Sequence, residues 1–275
     1  MHARLFALSL LTVAGAAPAQ AARCTLTSTT AVCSHNTTTV WTGSWGWTPR
    51  EVHWQVPEGS PPADGWPVVI VYQGSFMPAE NTFDSTSSMA YGAYWLTALT
   101  DELLDRGYAV LAPEALGGGS TYWQTNIYPY NVYWWSASDA YFVDDILGGI
   151  AWGDFGDLDT DNVFATGLSS GGYMTSRMAV SYPGDFKALS VHSGSYATCA
   201  ASACYVPTLS ASHPPTQLIV GSADLITPPS TVRAYRDKLA ARGIDYAYIE
   251  LPGTGHQWTP TAVTAIPDWF DAYAD

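Results

Sequence analysis

Charged residues are scarce in this sequence, and basic residues are the scarcest of them. Only 12% of the 275 residues are Asp, Glu, Lys or Arg, and 10 bases against 24 acids give a formal net charge of -14. Nucleic acid and anionic membranes would be repelled by this charge, so we expect neither as a partner. A neutral substrate suits the balance better, and no obligate protein partner is evident.

The sequence also lacks domain linkers, internal repeats and a long apolar run. Its apolar N-terminal run, residues 5–17, follows Arg4 and precedes Ala19-Gln20-Ala21, an order typical of a secretory signal peptide. We therefore predict a signal peptide over 1–21 and a secreted protein without a membrane anchor, because this run is too short to span a bilayer permanently. Residues 22–275 are predicted to form a single domain.

Cysteine is rare, and its four residues form two local couples, Cys24 with Cys33 and Cys199 with Cys204. Three pairings are possible. An even number in an exported protein favours disulfides, and pairing within each couple is the simplest arrangement. The spacings do not match a zinc site.

An acidic cluster at Asp154, Asp157, Asp159 and Asp161 resembles a cation-binding loop. Its spacing departs from that of a calcium-binding EF-hand, and no Glu closes it at the right distance. We favour turn and capping roles for these acids, and we predict no metal and no cofactor.

Apolar strands alternate with helical segments from Trp66 onward, which predicts an α/β fold with a mostly parallel central sheet and helices on both faces. The Thr-rich stretch 25–42 is predicted to be β-rich edge or loop structure tied down by Cys24 and Cys33. Strands are predicted over 68–72, 109–112, 163–166, 188–192, 217–220 and 246–251, and helices over 96–106, 137–152, 173–181, 231–242 and 260–273.

One serine lies in a glycine-rich turn between a predicted strand and a predicted helix. The turn is Gly167-Leu168-Ser169-Ser170-Gly171, and this context is typical of the nucleophile turn of an α/β-hydrolase. Such a turn strains the serine backbone, exposes Oγ, and has no room for side chains at the two flanking glycines. We predict Ser169 as nucleophile. Ser170 is a weaker alternative because it lacks the upstream glycine.

A serine hydroxyl needs a base, and in this fold the acid and then the histidine follow the serine in the chain. Asp224 comes just after the predicted strand 217–220, and His256 lies in a glycine-bearing loop after 246–251. The order Ser169, Asp224, His256 is that of a catalytic triad. His192 is the serious rival to His256, but it precedes Asp224, and a structural role is favoured for it.

Two backbone amides are needed to hold the oxyanion of the tetrahedral intermediate. Ser170, directly after the nucleophile, is the first candidate. The second is Ser75, which follows the predicted early strand 68–72 and Gln73-Gly74.

Aromatic residues are concentrated between positions 122 and 135, after three consecutive glycines. This aromatic tract has neither helical nor strand periodicity, so core packing and a hydrophobic surface for an apolar substrate are about equally supported. The candidate substrate-binding residues are Trp123, Tyr130, Trp134 and Trp258.

The segments 171–184 (GGYMTSRMAVSYPG) and 193–199 (SGSYATC) resemble extracellular medium-chain-length polyhydroxyalkanoate depolymerases. The resemblance extends through the Asp224 and His256 motifs. It implies a secreted serine esterase that hydrolyses polyesters of medium-chain 3-hydroxyalkanoic acids through a Ser-His-Asp triad and an acyl-enzyme, without an appended substrate-binding domain. Family members can lack the first glycine of the motif, whereas Gly167 is present here.

Two other functions remain open from the sequence. A cutinase-, lipase- or feruloyl-type esterase, or an esterase of aromatic polyesters, would use the same catalytic machinery with different pockets. A secreted polymer-binding module without turnover would use the aromatic residues alone, although a complete triad argues against it.

Overall fold

The computed structural model describes residues 23–43, 48–200 and 202–275. The predicted signal peptide over 1–21 lies outside the described residues, and the single domain over 22–275 stays a prediction. Within the described ranges, no helix has the length and apolar character needed to cross a membrane.

Eleven strands and five α-helices form the described part of the chain. The strands are β1 (Cys24–Leu26), β2 (Thr30–Cys33), β3 (Asn36–Thr42), β4 (Thr48–Gln55), β5 (Trp66–Tyr72), β6 (Asp84–Thr86), β7 (Ala109–Pro113), β8 (Leu158–Leu168), β9 (Ala188–His192), β10 (Thr216–Gly221) and β11 (Tyr246–Leu251). The helices are α1 (Ala93–Asp105), α2 (Ser138–Trp152), α3 (Ser170–Ser181), α4 (Pro229–Arg242) and α5 (Pro260–Asp271).

The main sheet has eight strands in the order β11-β10-β9-β8-β5-β7-β4-β3. The six strands from β11 to β7 are parallel, and β4 and β3 extend the sheet in antiparallel fashion. The six parallel strands are the six that the sequence predicts, so the α/β prediction with a mostly parallel sheet is confirmed. The fold is that of an α/β-hydrolase.

Helices cover both faces of the sheet, and the apolar sequence of β5 suits a strand that is buried on both faces. Val68 and Ile70 pack in one hydrophobic core with residues of α2 and α3, whereas Val69 and Val71 pack in a second core with residues of α1 and α5. Successive side chains of a strand point to opposite faces, so an unbroken apolar strand is required where both faces are covered. Helix α4 completes the first face through a third core around β10.

The Thr-rich stretch forms β1, β2 and β3, as its composition predicts. Strands β1, β2 and β6 make a small antiparallel sheet, and β3 is the edge strand of the main sheet. Disulfides join Cys24 to Cys33 and Cys199 to Cys204, which confirms the local pairing.

The acidic cluster contributes to the start of β8. Asp159 Oδ1 accepts a hydrogen bond from the backbone N–H of Asp161 at 2.8 Å, and its Oδ2 accepts one from Asn162 Nδ2 at 2.8 Å. Both carboxylate oxygens thus stabilise a local turn, which is the role that the spacing favours.

Candidate active site

Ser169 occupies the sharp turn between β8 and α3. Its backbone has φ 59° and ψ -120°, a conformation that costs a non-glycine residue free energy and that is concentrated at functional sites. A Cβ on Gly171 would lie 2.0 Å from the carbonyl oxygen of Tyr72, and one on Gly167 would lie 2.6 Å from the same oxygen. The two glycines are therefore required for the turn to approach β5.

Asp224 and His256 meet at the carboxyl ends of β10 and β11. These strands are parallel neighbours, with Gly221 beside Leu251, so the loops that follow them lie together. His256 Nδ1 is 2.8 Å from Asp224 Oδ2. A backbone hydrogen bond of 2.9 Å from Ala223 to Thr254 joins the two loops.

Asp224 remains ionised although it is buried. Burial alone would raise the pKa of this carboxyl, but hydrogen bonds from His256 and from the backbone N–H groups of Thr227 and Ile226 outweigh it and lower the pKa. The two N–H groups donate to Oδ1 at 2.8 and 2.9 Å. A charged Asp224 fixes the orientation of the imidazole and favours Nε2 as the nitrogen that accepts a proton.

Ser169 and His256 line one cavity of about 250 Å³. Gly74 and Ser75 complete its more polar wall, and the apolar walls are formed by Phe76, Met77, Tyr91, Leu168 and Ile226. Typical ligand pockets enclose about 300–1,000 Å³, so this cavity is slightly smaller than a typical ligand site.

The two candidate oxyanion donors come from different elements, Ser170 from α3 and Ser75 from the loop after β5. Ser170 begins α3, where the backbone N–H groups of a helix N-terminus are free to bind an anion, and its Oγ accepts a hydrogen bond from the Trp123 N–H at 2.9 Å. Ser75 lines the cavity, whereas the N–H of the next residue, Phe76, donates to the Thr121 carbonyl at 2.9 Å. Ser75 remains the predicted second donor.

His192, the rival base, is buried at the end of β9 beneath the site. Burial and the neighbouring His256 lower its pKa to about 3, so its ring is neutral. The edge of its ring contacts Trp258, with centroids 4.7 Å apart, and its backbone carbonyl accepts the Ser169 N–H at 3.1 Å. These contacts support the structural role that the sequence favours.

The predicted substrate-binding aromatics belong mainly to the core. Trp123 is 0% exposed, Trp258 is 1% exposed and Trp134 is also buried, so the prediction that these three rings form a surface for substrate is wrong. The indole N–H of Trp123, for example, donates to the Gln73 carbonyl at 3.0 Å. Tyr130 is half-buried against the core, and its role stays a prediction.

Tyr91 is a site residue that the sequence analysis missed. Its backbone has φ 56°, its carbonyl accepts the Trp258 N–H at 2.9 Å, and its ring packs edge-to-face with the His256 ring, with the centroids 6.0 Å apart. The next residue, Gly92, approaches Trp258 so closely that a Cβ would lie 2.4 Å from the Trp258 carbonyl oxygen. This contact joins the segment before α1 to the His256 loop, and no local sequence pattern indicates it.

Comparison with known proteins gives a close relative. No family model matches the chain. Over 242 residues, which are 88% of this chain and 85% of the other, it is 44% identical to a poly(3-hydroxyoctanoate) depolymerase of Pseudomonas fluorescens. The chain belongs to the family of medium-chain-length polyhydroxyalkanoate depolymerases. It is accordingly a carboxylic ester hydrolase.

Solved structures agree on the fold. A thermostable esterase superimposes with a TM-score of 0.65 and 19% identity over 88% of this chain, which spans 63% of that larger protein. An S-formylglutathione hydrolase from Staphylococcus aureus has a TM-score of 0.61 and 13% identity over 86% of this chain and 98% of its own. At these identities the likeness concerns the fold alone.

Proposed function

We propose that this depolymerase hydrolyses the ester bonds of medium-chain-length poly(3-hydroxyalkanoates) through a triad of Ser169, His256 and Asp224. The observation that carries the proposal is the apolar cavity shared by Ser169 and His256, with the imidazole bound to a buried, ionised Asp224. The 44% identity to a poly(3-hydroxyoctanoate) depolymerase supports the proposed substrate class.

The reaction has two halves. His256 removes the proton of Ser169 Oγ, and Oγ attacks the ester carbonyl carbon to give a tetrahedral oxyanion that the amides of Ser170 and Ser75 hold. The carbon–oxygen bond to the alcohol breaks, and His256 gives its proton to the leaving oxygen. Water, deprotonated by His256, then attacks the acyl carbon. The bond from this carbon to Ser169 Oγ breaks, the acid leaves, and His256 returns the proton to Oγ.

The surface around the cavity supports a water-insoluble substrate. Leu225 is 92% exposed and Phe76 is 71% exposed, and Ile226, Tyr91 and Met89 are also exposed large apolar side chains. Phe76, Tyr91 and Ile226 also line the cavity, and exposed apolar patches mark binding surfaces in soluble proteins. In the proposed complex, one alkyl side chain of the polymer enters the cavity while the rest of the polymer lies across this apolar rim.

Secretion and a single catalytic domain are part of the same proposal. Two disulfides suit an oxidising compartment, and a polymer outside the cell can be reached only by an exported enzyme. The predicted signal peptide over 1–21 is consistent with export. The apolar rim would provide polymer adsorption without an appended binding domain.

The test compares the wild type with Ser169→Ala for clearing of polyhydroxyoctanoate and polyhydroxybutyrate, and for hydrolysis of triglyceride and feruloyl esters. We expect the wild type to clear polyhydroxyoctanoate fastest and the folded Ser169→Ala variant to clear none. Residual clearing by that variant would refute the assignment of Ser169 as the nucleophile. If polyhydroxyoctanoate ranked last, a cutinase-, lipase- or feruloyl-type activity would replace the proposed one.

A further inference from the structure

Three metal-ligating side chains converge at the antiparallel side of the main sheet. Glu51 and His53 are two residues apart on β4, and Glu114 directly follows β7, the strand that pairs with β4. The Glu114 N–H donates to the Glu51 carbonyl at 2.9 Å, which places the two residues side by side. The three potential ligand atoms all lie within 4.8 Å of one another.

The histidine of this cluster has a buried nitrogen that the described residues do not satisfy. His53 is 7% exposed, and its Nε2 has no hydrogen-bond partner among the described residues. Its Nδ1 lies 3.2 Å from the Thr37 hydroxyl, which fixes the orientation of the ring. An unsatisfied buried nitrogen is costly, so its position between two carboxylates requires an explanation.

The distances fit a shared cation better than direct hydrogen bonds. His53 Nε2 lies 3.6 Å from Glu114 Oε1 and 3.9 Å from Glu51 Oε2, beyond the usual range of an N–H···O bond. Two ligands that are each about 2.0–2.2 Å from one metal ion lie roughly 3.0–3.5 Å apart, so small side-chain movements would complete a site. A cation would also offset the repulsion between the two carboxylates.

We propose that Glu51, His53 and Glu114 bind one divalent transition-metal ion. Imidazole nitrogen combined with carboxylate oxygen suits Zn²⁺ and related ions better than Ca²⁺ or Mg²⁺, which prefer oxygen ligands alone. Glu51 and Glu114 line a surface groove of about 400 Å³, through which the ion and its water ligands have access. Thr37 contacts the other ring nitrogen and orients the imidazole, as the hydrogen-bond partners of metal-bound histidines do.

The ion would fix the start of a loop that ends beside Ser170, the neighbour of Ser169. The Arg50 guanidinium donates two hydrogen bonds to the Glu114 carbonyl, at 2.8 and 3.2 Å. Next along the chain, the Ala115 N–H donates to the Gln73 side chain at 2.9 Å. The loop ends at Trp123, whose N–H donates to Ser170 Oγ. The proposed site is thus structural and lies outside the cavity of Ser169.

Direct metal binding provides the test, and it does not depend on the proposed polyester activity. The full chain is dialysed against a chelator and titrated with ZnCl₂ by calorimetry, with the thermal midpoint recorded with and without Zn²⁺. We expect one equivalent to bind the wild type and to raise the thermal midpoint. Glu51→Gln, at a partly exposed position, and Glu114→Gln should each weaken binding at least ~10-fold.

Glu80→Gln serves as the matched control, because Glu80 is an exposed glutamate outside the cluster. It should bind Zn²⁺ as the wild type does. Circular dichroism establishes that each variant is folded before titration. The proposal is overturned if the wild type binds no Zn²⁺ at 1 mM, or if folded Glu51→Gln and Glu114→Gln both bind it with unchanged affinity.

Discussion

Gly171→Ala tests the geometry of the nucleophile turn. A Cβ at this position would lie 2.0 Å from the Tyr72 carbonyl oxygen and 2.6 Å from the Gln73 carbonyl oxygen. Real Cβ contacts remain beyond 3.0 Å, so helix α3 and strand β5 must separate by at least about 1 Å, the difference between 3.0 and 2.0 Å. No side-chain rotation can relieve this clash because both contacts are to backbone atoms.

The expected cost follows from that displacement. Overpacking a core costs about 1–3 kcal/mol, and a contact between backbones should cost the upper value, ~3 kcal/mol. At roughly 2–4 °C per kcal/mol for a chain of this size, the thermal midpoint should fall by roughly 6–12 °C. Because Ser169 is carried on the displaced turn, kcat for p-nitrophenyl octanoate should also fall ~100-fold.

Thermal unfolding and esterase kinetics on the same preparations measure both effects. Gly148→Ala is the matched control, because Gly148 lies within α2 and its Cβ would have its nearest contact at 4.0 Å, with the Trp152 ring. Alanine there should leave activity unchanged and raise stability by up to ~1 kcal/mol. A Gly171→Ala enzyme with an unchanged thermal midpoint and kcat would show that the turn accommodates a Cβ at position 171.

Two further predictions concern the acid and the apolar rim. Because the pKa of Asp224 is lowered in the fold, its carboxylate stabilises the protein above the ordinary Asp pKa, and this contribution is lost as the pH falls through the lowered value. The free energy of unfolding of Asp224→Asn, from urea titrations at several pH values, should therefore fall less on acidification than that of the wild type, and its kcat should drop on the order of 10³–10⁴-fold. An identical acid dependence in both proteins would contradict this. Leu225→Ser should lower adsorption to polyhydroxyoctanoate particles more than it lowers hydrolysis of soluble p-nitrophenyl octanoate, and equal losses would argue against a polymer-binding rim.

The parallel part of the sheet could be predicted because each of its strands carries its own signal. Unbroken apolar runs such as the one in β5 are required where helices cover both faces, and they are visible in the sequence. Strand β4 was not predicted, because its sequence TPREVHWQ alternates only weakly and its pairing with β7 is set by tertiary contacts.

The residues of the candidate site likewise comprise some that local sequence predicts and some that it does not. Ser169, Asp224 and His256 are each marked by a strand followed by a glycine-containing loop, so local sequence is enough to nominate them. Tyr91 was missed because it reaches the cavity only through the contact between Gly92 and Trp258, which are far apart in the chain. Trp123 was misassigned because composition does not distinguish a buried ring from an exposed one.

The proposed metal site also could not be predicted from local sequence. The spacing of the acids from Asp154 to Asp161 does not predict a metal site, and no metal is expected from the sequence. Glu51 and Glu114 come together only when β4 pairs with β7, so no spacing in the sequence marks them.

Fluorophosphonate labelling followed by peptide mapping identifies the nucleophile. We expect one adduct, on Ser169, that is absent from Ser169→Ala and retained in Ser170→Ala. Loss of labelling in Asp224→Asn or His256→Asn would connect the reactivity of the serine to its partners. An adduct on Ser170, or an unlabelled wild type that still clears polyhydroxyoctanoate, would contradict the assignment of Ser169 as nucleophile.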